Sequence, residues 1–224
     1  MKLMGEAAGT LASAAKETGA KSFVQVSAIG ADRDGPSQYA QAKALGEELV
    51  REAFPEATIM RPSIIFGPDG GILTMFADLI AKLPVLPVFA PDAPMQVVHV
   101  DDVAAAIATA LLAPSEHAGK TYELAGPDRW TMMELNERIA KAQRRKRAFL
   151  PMPDSGSAAF AALPGTPMSS DQWTMLKAGS VASGEHPGFE ALGIHPRPLE
   201  LVIDRYMVHH RKYGRFADKM DSAG

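Results

Sequence analysis

The sequence predicts an α/β protein built on a parallel sheet. Two observations carry the prediction. Strand, helix and strand follow one another in short order over residues 22–27, 38–53 and 57–60, the rhythm of βαβ units. Helix punctuation also falls where that rhythm needs it, with glycine after the first helical pattern and serine before the second.

The elements follow in order. Residues 3–18 read as a helix, with Leu3, Ala7, Leu11, Ala14 and Ala15 near a helical spacing and Gly19 as its stop. Residues 22–27 are rich in β-branched and aromatic side chains and read as a strand. A loop with Gly30, Asp32, Asp34, Gly35 and Pro36 leads to Ser37, a good N-cap for a helix over 38–53. The strand at 57–60 closes on Arg61-Pro62. Residues 95–100 alternate like a strand, and Asp101 and Asp102 then cap a helix over 103–112. A short strand is expected at 121–124. Thr131 and Glu134 have capping-box spacing and open a helix to about Gln143. Residues 149–153 read as extended, 154–169 as a Ser/Ala/Gly/Pro-rich loop, and 198–213 as a last helix that starts on Pro198 and ends at Tyr213.

The 224 residues carry 23 Lys+Arg against 26 Asp+Glu, a formal net charge of −3, and 46% of them are hydrophobic. These values exclude a disordered, a collagen-like and a wholesale nucleic-acid-binding chain. With no cysteine, a disulfide framework, a zinc–thiolate site and a cysteine nucleophile are excluded too. The longest apolar runs, 83–90 and 103–113, fall short of the ~20 residues of a membrane helix. Met1 to Glu6 has no signal-peptide core, so a cytoplasmic protein is expected.

Tyr39-Ala-Gln-Ala-Lys43 is the pattern with most chemical content. Residues four apart share one helix face, so the Lys43 ammonium is expected to favour the Tyr39 phenolate and lower its pKa. That makes the tyrosine a usable proton donor or acceptor, and the lysine a donor to ribose hydroxyls. Alone, the pair reads sooner as a tyrosine packed on the core beside a solvated lysine, since this spacing is common by chance. Its context is a strand ending in Ser27 before it and Arg61-Pro-Ser-Ile-Ile-Phe-Gly-Pro68 after it. His99 reads as a hydrogen-bonded core histidine and Asp101-Asp102 as helix caps. No metal-ligand spacing is present; the adjacent His209 and His210 diverge on a helix.

The motifs VSAIGAD, YAQAK, RPSIIFGP and VHVDDVAAAI, in this order, resemble the extended and atypical branch of the short-chain dehydrogenase/reductase superfamily. GKTYELAGPDRWTMMEL (119–135) and ALGIHPRPLELVIDRYMVHHRKYGRF (191–216) are similar to the NADPH-binding accessory subunit of complex I and its bacterial relatives. The resemblance implies a Rossmann-type sheet that binds NADP(H) or NAD(H). Tyr39 and Lys43 would lie at the nicotinamide ribose, with Pro62, Ser63 and Ile65 lining the nicotinamide pocket. It further implies partners among complex I subunits, peripheral contact at the cytosolic face of the inner membrane, no transmembrane segment and little catalysis. The rival reading is an active NAD(P)-dependent reductase or epimerase-type enzyme. There Tyr39 is the acid/base, Lys43 its modulator and Ser27 the carbonyl anchor.

Three departures qualify the resemblance. Family enzymes usually carry two hydroxyl residues where this chain has Ser27-Ala28, which leaves Ser27 as a strand-end residue. Ile64 stands where nucleotide-sugar enzymes often have asparagine. The glycine fingerprint of a first strand-to-helix turn is missing, since Gly5-x-x-x-Gly9 lies inside a helix and Gly67-Pro-Asp-Gly-Gly71 follows another strand. The expectation is therefore a partial Rossmann-type sheet in an N-terminally shortened chain. Residues 1–112 would be the later part of the nucleotide-binding domain and 113–224 a small mixed α/β region partly completing it. Two consequences follow: uncovered apolar surface with marginal solubility, and a third reading in which the chain binds no nucleotide. The basic run 144–147, with Arg205, Arg211, Lys212 and Arg215, reads as solvated helix ends or as a surface for anionic lipid or an acidic partner.

Overall fold

A computed structural model describes residues 2–68, 70–166, 168–212 and 214. Helix α1 (Lys2–Glu17) leads into β1 (Val24–Val26), α2 (Gln38–Ala53) and β2 (Thr58–Pro62). Gly19 adopts φ 77°, the left-handed conformation that ends α1 without a Cβ penalty. Strands β3 (Ile65–Gly67) and β4 (Gly70–Gly71), helix α3 (Ile72–Lys82) and strands β5 (Val85–Val88), β6 (Pro94–Met95) and β7 (Val98–His99) come next. Helices α4 (Val100–Leu112) and α5 (Pro114–His117) precede β8 (Thr121–Leu124), β9 (Trp130–Thr131) and α6 (Met132–Ala142). Strand β10 (Ala148–Pro151) and helices α7 (Asp154–Ala162) and α8 (Ser170–Ala178) follow.

Strands β1, β2 and β8 form one parallel sheet in that spatial order. β2 is its middle strand and packs on both faces, as side-chain alternation requires. Ile59 joins Ala12, Val50 and Phe54 on the α1/α2 side. Met60 joins Val103, Ala106 and Tyr122 on the α4 side. This is a helix–sheet–helix sandwich with β1–α2–β2 as a βαβ unit. A second core, with Phe66, Leu73, Ile80, Leu135 and Ile139, lies under α3 and α6.

Helix α1 packs against α2 through Gly5 and Gly9. A Cβ on Gly9 would stand 2.7 Å from Leu49 Cβ, and one on Gly5 2.8 Å from Leu45 Cδ2. These glycines therefore set a close helix–helix approach.

Four local expectations are corrected. Residues 154–169 are not all loop, because 154–162 form α7. The strand expected at 95–100 is two separate pairs, as Met95 pairs with Trp130 and Val98 with Ile65. Helix α4 starts at Val100 with His99 as N-cap, its Nδ1 accepting the Asp101 N–H at 3.1 Å, so the two aspartates occupy the first turn. The last helix is broken into a 3₁₀ turn (Leu199–Leu201), a single α turn, α9 (Ile203–Tyr206), and another 3₁₀ turn (Met207–His210). Tyr213 and Arg215 lie outside the described residues.

The basic run is more than a solvated end. Arg147 Nε donates to Ile80 O at 2.8 Å at the end of α3, and Arg145 donates to His210 O. Arg211 Nε donates to Ala142 O at 3.0 Å, capping α6. His99 is a buried core histidine, as its place in a strand pattern predicts, with Nε2 2.7 Å from Tyr206 Oη. Among the described residues no helix is long and apolar enough to cross a membrane, and no group of His, Asp or Glu is arranged to hold a metal ion.

Candidate functional site

The site forms at the carboxyl ends of β1 and β2, where open α/β sheets place their ligands. Ser27 directly follows β1 and donates its backbone N–H to Met60 O at 2.7 Å, continuing the strand pairing. Ile29 N–H bonds Pro62 O at 3.1 Å, which draws the loop after β1 onto the end of β2. Helix α2 then begins at the pocket rim. Ser37 caps it, its Oγ accepting the Ala40 N–H at 3.1 Å, as the sequence predicts.

Ser27, Tyr39, Lys43, Pro62, Ser63 and Ile65 all line one cavity of about 530 Å³. Lys43 Nζ sits 5.6 Å from the Tyr39 ring centroid and donates to Val26 O at 3.2 Å. The lysine is thus held between the end of β1 and the tyrosine one turn before it. Ser27 is buried, and its Oγ has no hydrogen-bond partner among the described residues. Ser63 is buried too, with Oγ 3.0 Å from Ser180 O and 2.9 Å from Ser180 Oγ.

The expected electrostatics of the pair are reversed. Burial pushes the Tyr39 phenol above its ordinary value, and burial also pulls the Lys43 ammonium down, against the opposing field of Glu47. Burial disfavours the charged form of each group, which raises a phenol and lowers an ammonium. Glu47, one turn beyond Lys43, is buried and clasps Arg61 with two hydrogen bonds of 2.9 and 2.7 Å. The hydrogen bond to Glu47 raises the Arg61 pKa. This ion pair ties α2, the helix that carries Lys43, to the end of β2.

Sequence reasoning missed the opposite wall. It comes from α8 and the residues after it, including Thr174, Met175, Leu176 and Ser180. Asp171 of α8 accepts the Gln38 N–H at 2.6 Å and the Tyr39 N–H at 3.4 Å, capping the helix that carries the Tyr–Lys pair. A signal existed: Ser169 and Gln172 have capping-box spacing, and both capping hydrogen bonds form.

A parallel sheet layered between helices, with a cavity at its strand ends, defines a Rossmann-like α/β fold. The chain belongs to the RmlD substrate binding domain family of the extended short-chain dehydrogenase/reductase superfamily, whose model matches residues 1–179. It is 35% identical over 219 residues to NADH dehydrogenase (ubiquinone) 1 alpha subcomplex subunit 9, mitochondrial, of Arabidopsis thaliana, covering 91% of this chain and 54% of that protein. The Mus musculus subunit of the same name is 34% identical over 209 residues, covering 91% of this chain and 55% of the relative. The chain thus spans about half the length of the curated relatives it matches.

Two solved structures share the fold. An NADPH-dependent quinone oxidoreductase of Escherichia coli, complexed with NADPH, superposes with a TM-score of 0.70 at 21% identity, covering 92% of this chain and 72% of that one. A dTDP-4-dehydrorhamnose reductase of Bacillus anthracis, in complex with NADP, gives 0.64 at 17%, covering 92% and 71%.

Proposed function

We propose that the chain supplies the nicotinamide end of a nucleotide site in an accessory-type protein related to the complex I subunit. The protein would serve the respiratory NADH:ubiquinone oxidoreductase or quinone metabolism, with little turnover of its own. The observation that carries this reading is the convergence of Tyr39, Lys43, Pro62, Ser63 and Ile65 on one cavity. NADP(H) or NAD(H), when bound, supplies hydride chemistry.

The residues present fit the nicotinamide half of that group. Tyr39 and Lys43 would hold the ribose. Pro62 and Ile65 would give the ring an apolar seat, and Ser63 would contribute mainly its backbone, since its hydroxyl is bonded to Ser180. The N-terminus of α2, the kind of site that accepts a phosphate, is taken by the Asp171 carboxylate. Among the described residues the fit is therefore to the nicotinamide ribose and not to the pyrophosphate.

Low turnover follows from the same geometry. A phenol raised by burial is a poor base near neutral pH, and Ala28 offers no hydroxyl at the position where family enzymes polarise a carbonyl. Partners would be complex I subunits, reached as a peripheral protein at the cytosolic face of the inner membrane, with no nucleic acid.

The second reading is an NAD(P)-dependent reductase or epimerase-type enzyme. It is favoured by one observation, the unpartnered buried Ser27 hydroxyl, which could anchor a carbonyl. Nicotinamide absorbance followed with NADPH and quinone or carbonyl substrates separates the two. Turnover lost in Tyr39→Phe supports the enzyme, whereas co-purification with complex I subunits and no turnover supports the accessory role.

A further inference from the structure

The wall facing the proposed nicotinamide seat has no assigned ligand, and its chemistry is unusual for a family whose members include sugar-nucleotide enzymes. We infer that this wall receives an uncharged carbonyl compound on an apolar body, of quinone or long-chain ketone type, and rejects nucleoside diphosphate sugars. The inference rests on the nucleotide reading only for what occupies the opposite wall.

Charge is the first argument. Lys43 is the one charged residue in the cavity lining among the described residues, and it stands beside Tyr39 on the opposite side from α8. The two ionised side chains of α8 nearest the cavity are both neutralised elsewhere. Asp171 is bound by the backbone at the start of α2, and Lys177 pairs with Asp154 of α7 at 2.7 Å. A diphosphate placed against this wall would lose its hydration with no cation to replace it, a cost that apolar contacts cannot offset.

Shape chemistry is the second argument. Met95, Met175 and Leu176 present thioether and branched alkyl surface to the cavity, with Ile64 where a sugar-binding polar residue would otherwise stand. Methionine adapts to flat or flexible apolar ligands at little cost. The hydroxyls on this side are spent within the protein, Thr174 donating to Ser170 O and Ser180 bonded to Ser63. Across the cavity, at the end of β1, the buried Ser27 hydroxyl has no partner among the described residues and is a ready donor to a carbonyl oxygen, which would orient that oxygen while the rest of the molecule lies on the apolar wall.

Fluorescence of Trp173, in α8 beside this wall, tests the inference in a Trp130→Phe background. A decyl-benzoquinone should quench it saturably, and 2-tridecanone should displace the quinone; displacement by the ketone marks the general apolar-carbonyl site, its failure a quinone-only site, which narrows the class. UDP-glucose and dTDP should not displace it. Met175→Lys should weaken quinone binding by at least about tenfold, with Met175→Gln as the milder variant if the lysine prevents folding. Displacement by UDP-glucose or dTDP, the absence of saturable quenching, or quenching unchanged in both Met175 variants would overturn the inference. Titrations run with and without NADPH keep the two readings apart. Quinone binding with no NADPH binding would refute the nucleotide site alone, and NADPH binding with no quinone binding would refute this inference alone.

Discussion

The carboxylate of Asp171 accepts a 2.6 Å hydrogen bond from the backbone N–H of Gln38, a residue 133 positions earlier in the chain. One side chain of α8 thereby caps the helix that bears Tyr39 and Lys43, joining the two walls of the cavity. Asp171→Ala should cost about 1 kcal/mol, as loss of a cap and of a favourable dipole interaction does. Hydrogen exchange read residue by residue should speed up selectively at Gln38 and Tyr39. Asp171→Asn, which keeps an acceptor oxygen, should lose less.

The α1–α2 contact gives a graded prediction. Alanine in place of a helical glycine gains about 1 kcal/mol in propensity, while a forced overlap costs about 1–3 kcal/mol. At Gly9 the obstacle is Leu49 Cβ, which moves only with its backbone, whereas at Gly5 it is Leu45 Cδ2 and Cγ, at 2.8 and 2.9 Å, which a change of the side-chain rotamer moves together. Gly9→Ala should therefore lower the denaturant midpoint and Gly5→Ala should leave it nearly unchanged.

Glu47 and Arg61 form a largely buried pair, the arginine side chain keeping 19% exposure. Removing one partner strands the other, so Glu47→Gln should destabilise the fold by about 3 kcal/mol, the low end for a buried pair. Glu47 also opposes the fall of the Lys43 pKa. Lysine-specific acylation followed against pH should thus find Lys43 reactive at lower pH in the variant than in the parent.

The tyrosine pair gives a pH prediction of definite sign. Burial raises the folded Tyr39 pKa above its unfolded value, so its contribution to stability is present below about pH 10 and lost as pH rises through the folded value. Alkaline unfolding should therefore set in at higher pH in Tyr39→Phe. In an ultraviolet titration the variant should lack one late-ionising phenol, while the component from Tyr122, also raised by burial, remains.

Much of the sheet and half of the site are legible in the sequence because local signals carry them. The Ser37 cap, the four-residue Tyr39–Lys43 spacing and the apolar strand at 58–62 each act over a few residues. The Ser169–Gln172 spacing marks the start of α8, but nothing local shows that this helix walls the cavity, and the stretch before it is less legible still. Residues 154–169 are dominated by small residues with little helical periodicity, and α7 is stabilised instead by packing such as Phe160 stacked 5.1 Å from Phe89. Asp171 finds its partner across the fold, which no local pattern encodes. The tyrosine shift is not legible for a similar reason: the spacing places Lys43 beside the ring, but the burial of Tyr39, unseen in the sequence, raises the phenol.

If the Tyr39–Lys43 cavity holds a nicotinamide nucleotide, as proposed, NADPH titrated with the protein and read by nicotinamide fluorescence will reveal it, with circular dichroism to confirm that each variant folds. Saturable enhancement is expected, weakened at least about tenfold in Lys43→Ala, which would lose a charged hydrogen-bond donor to the ribose. No saturable signal, or binding of equal strength in Lys43→Ala, would contradict the proposal.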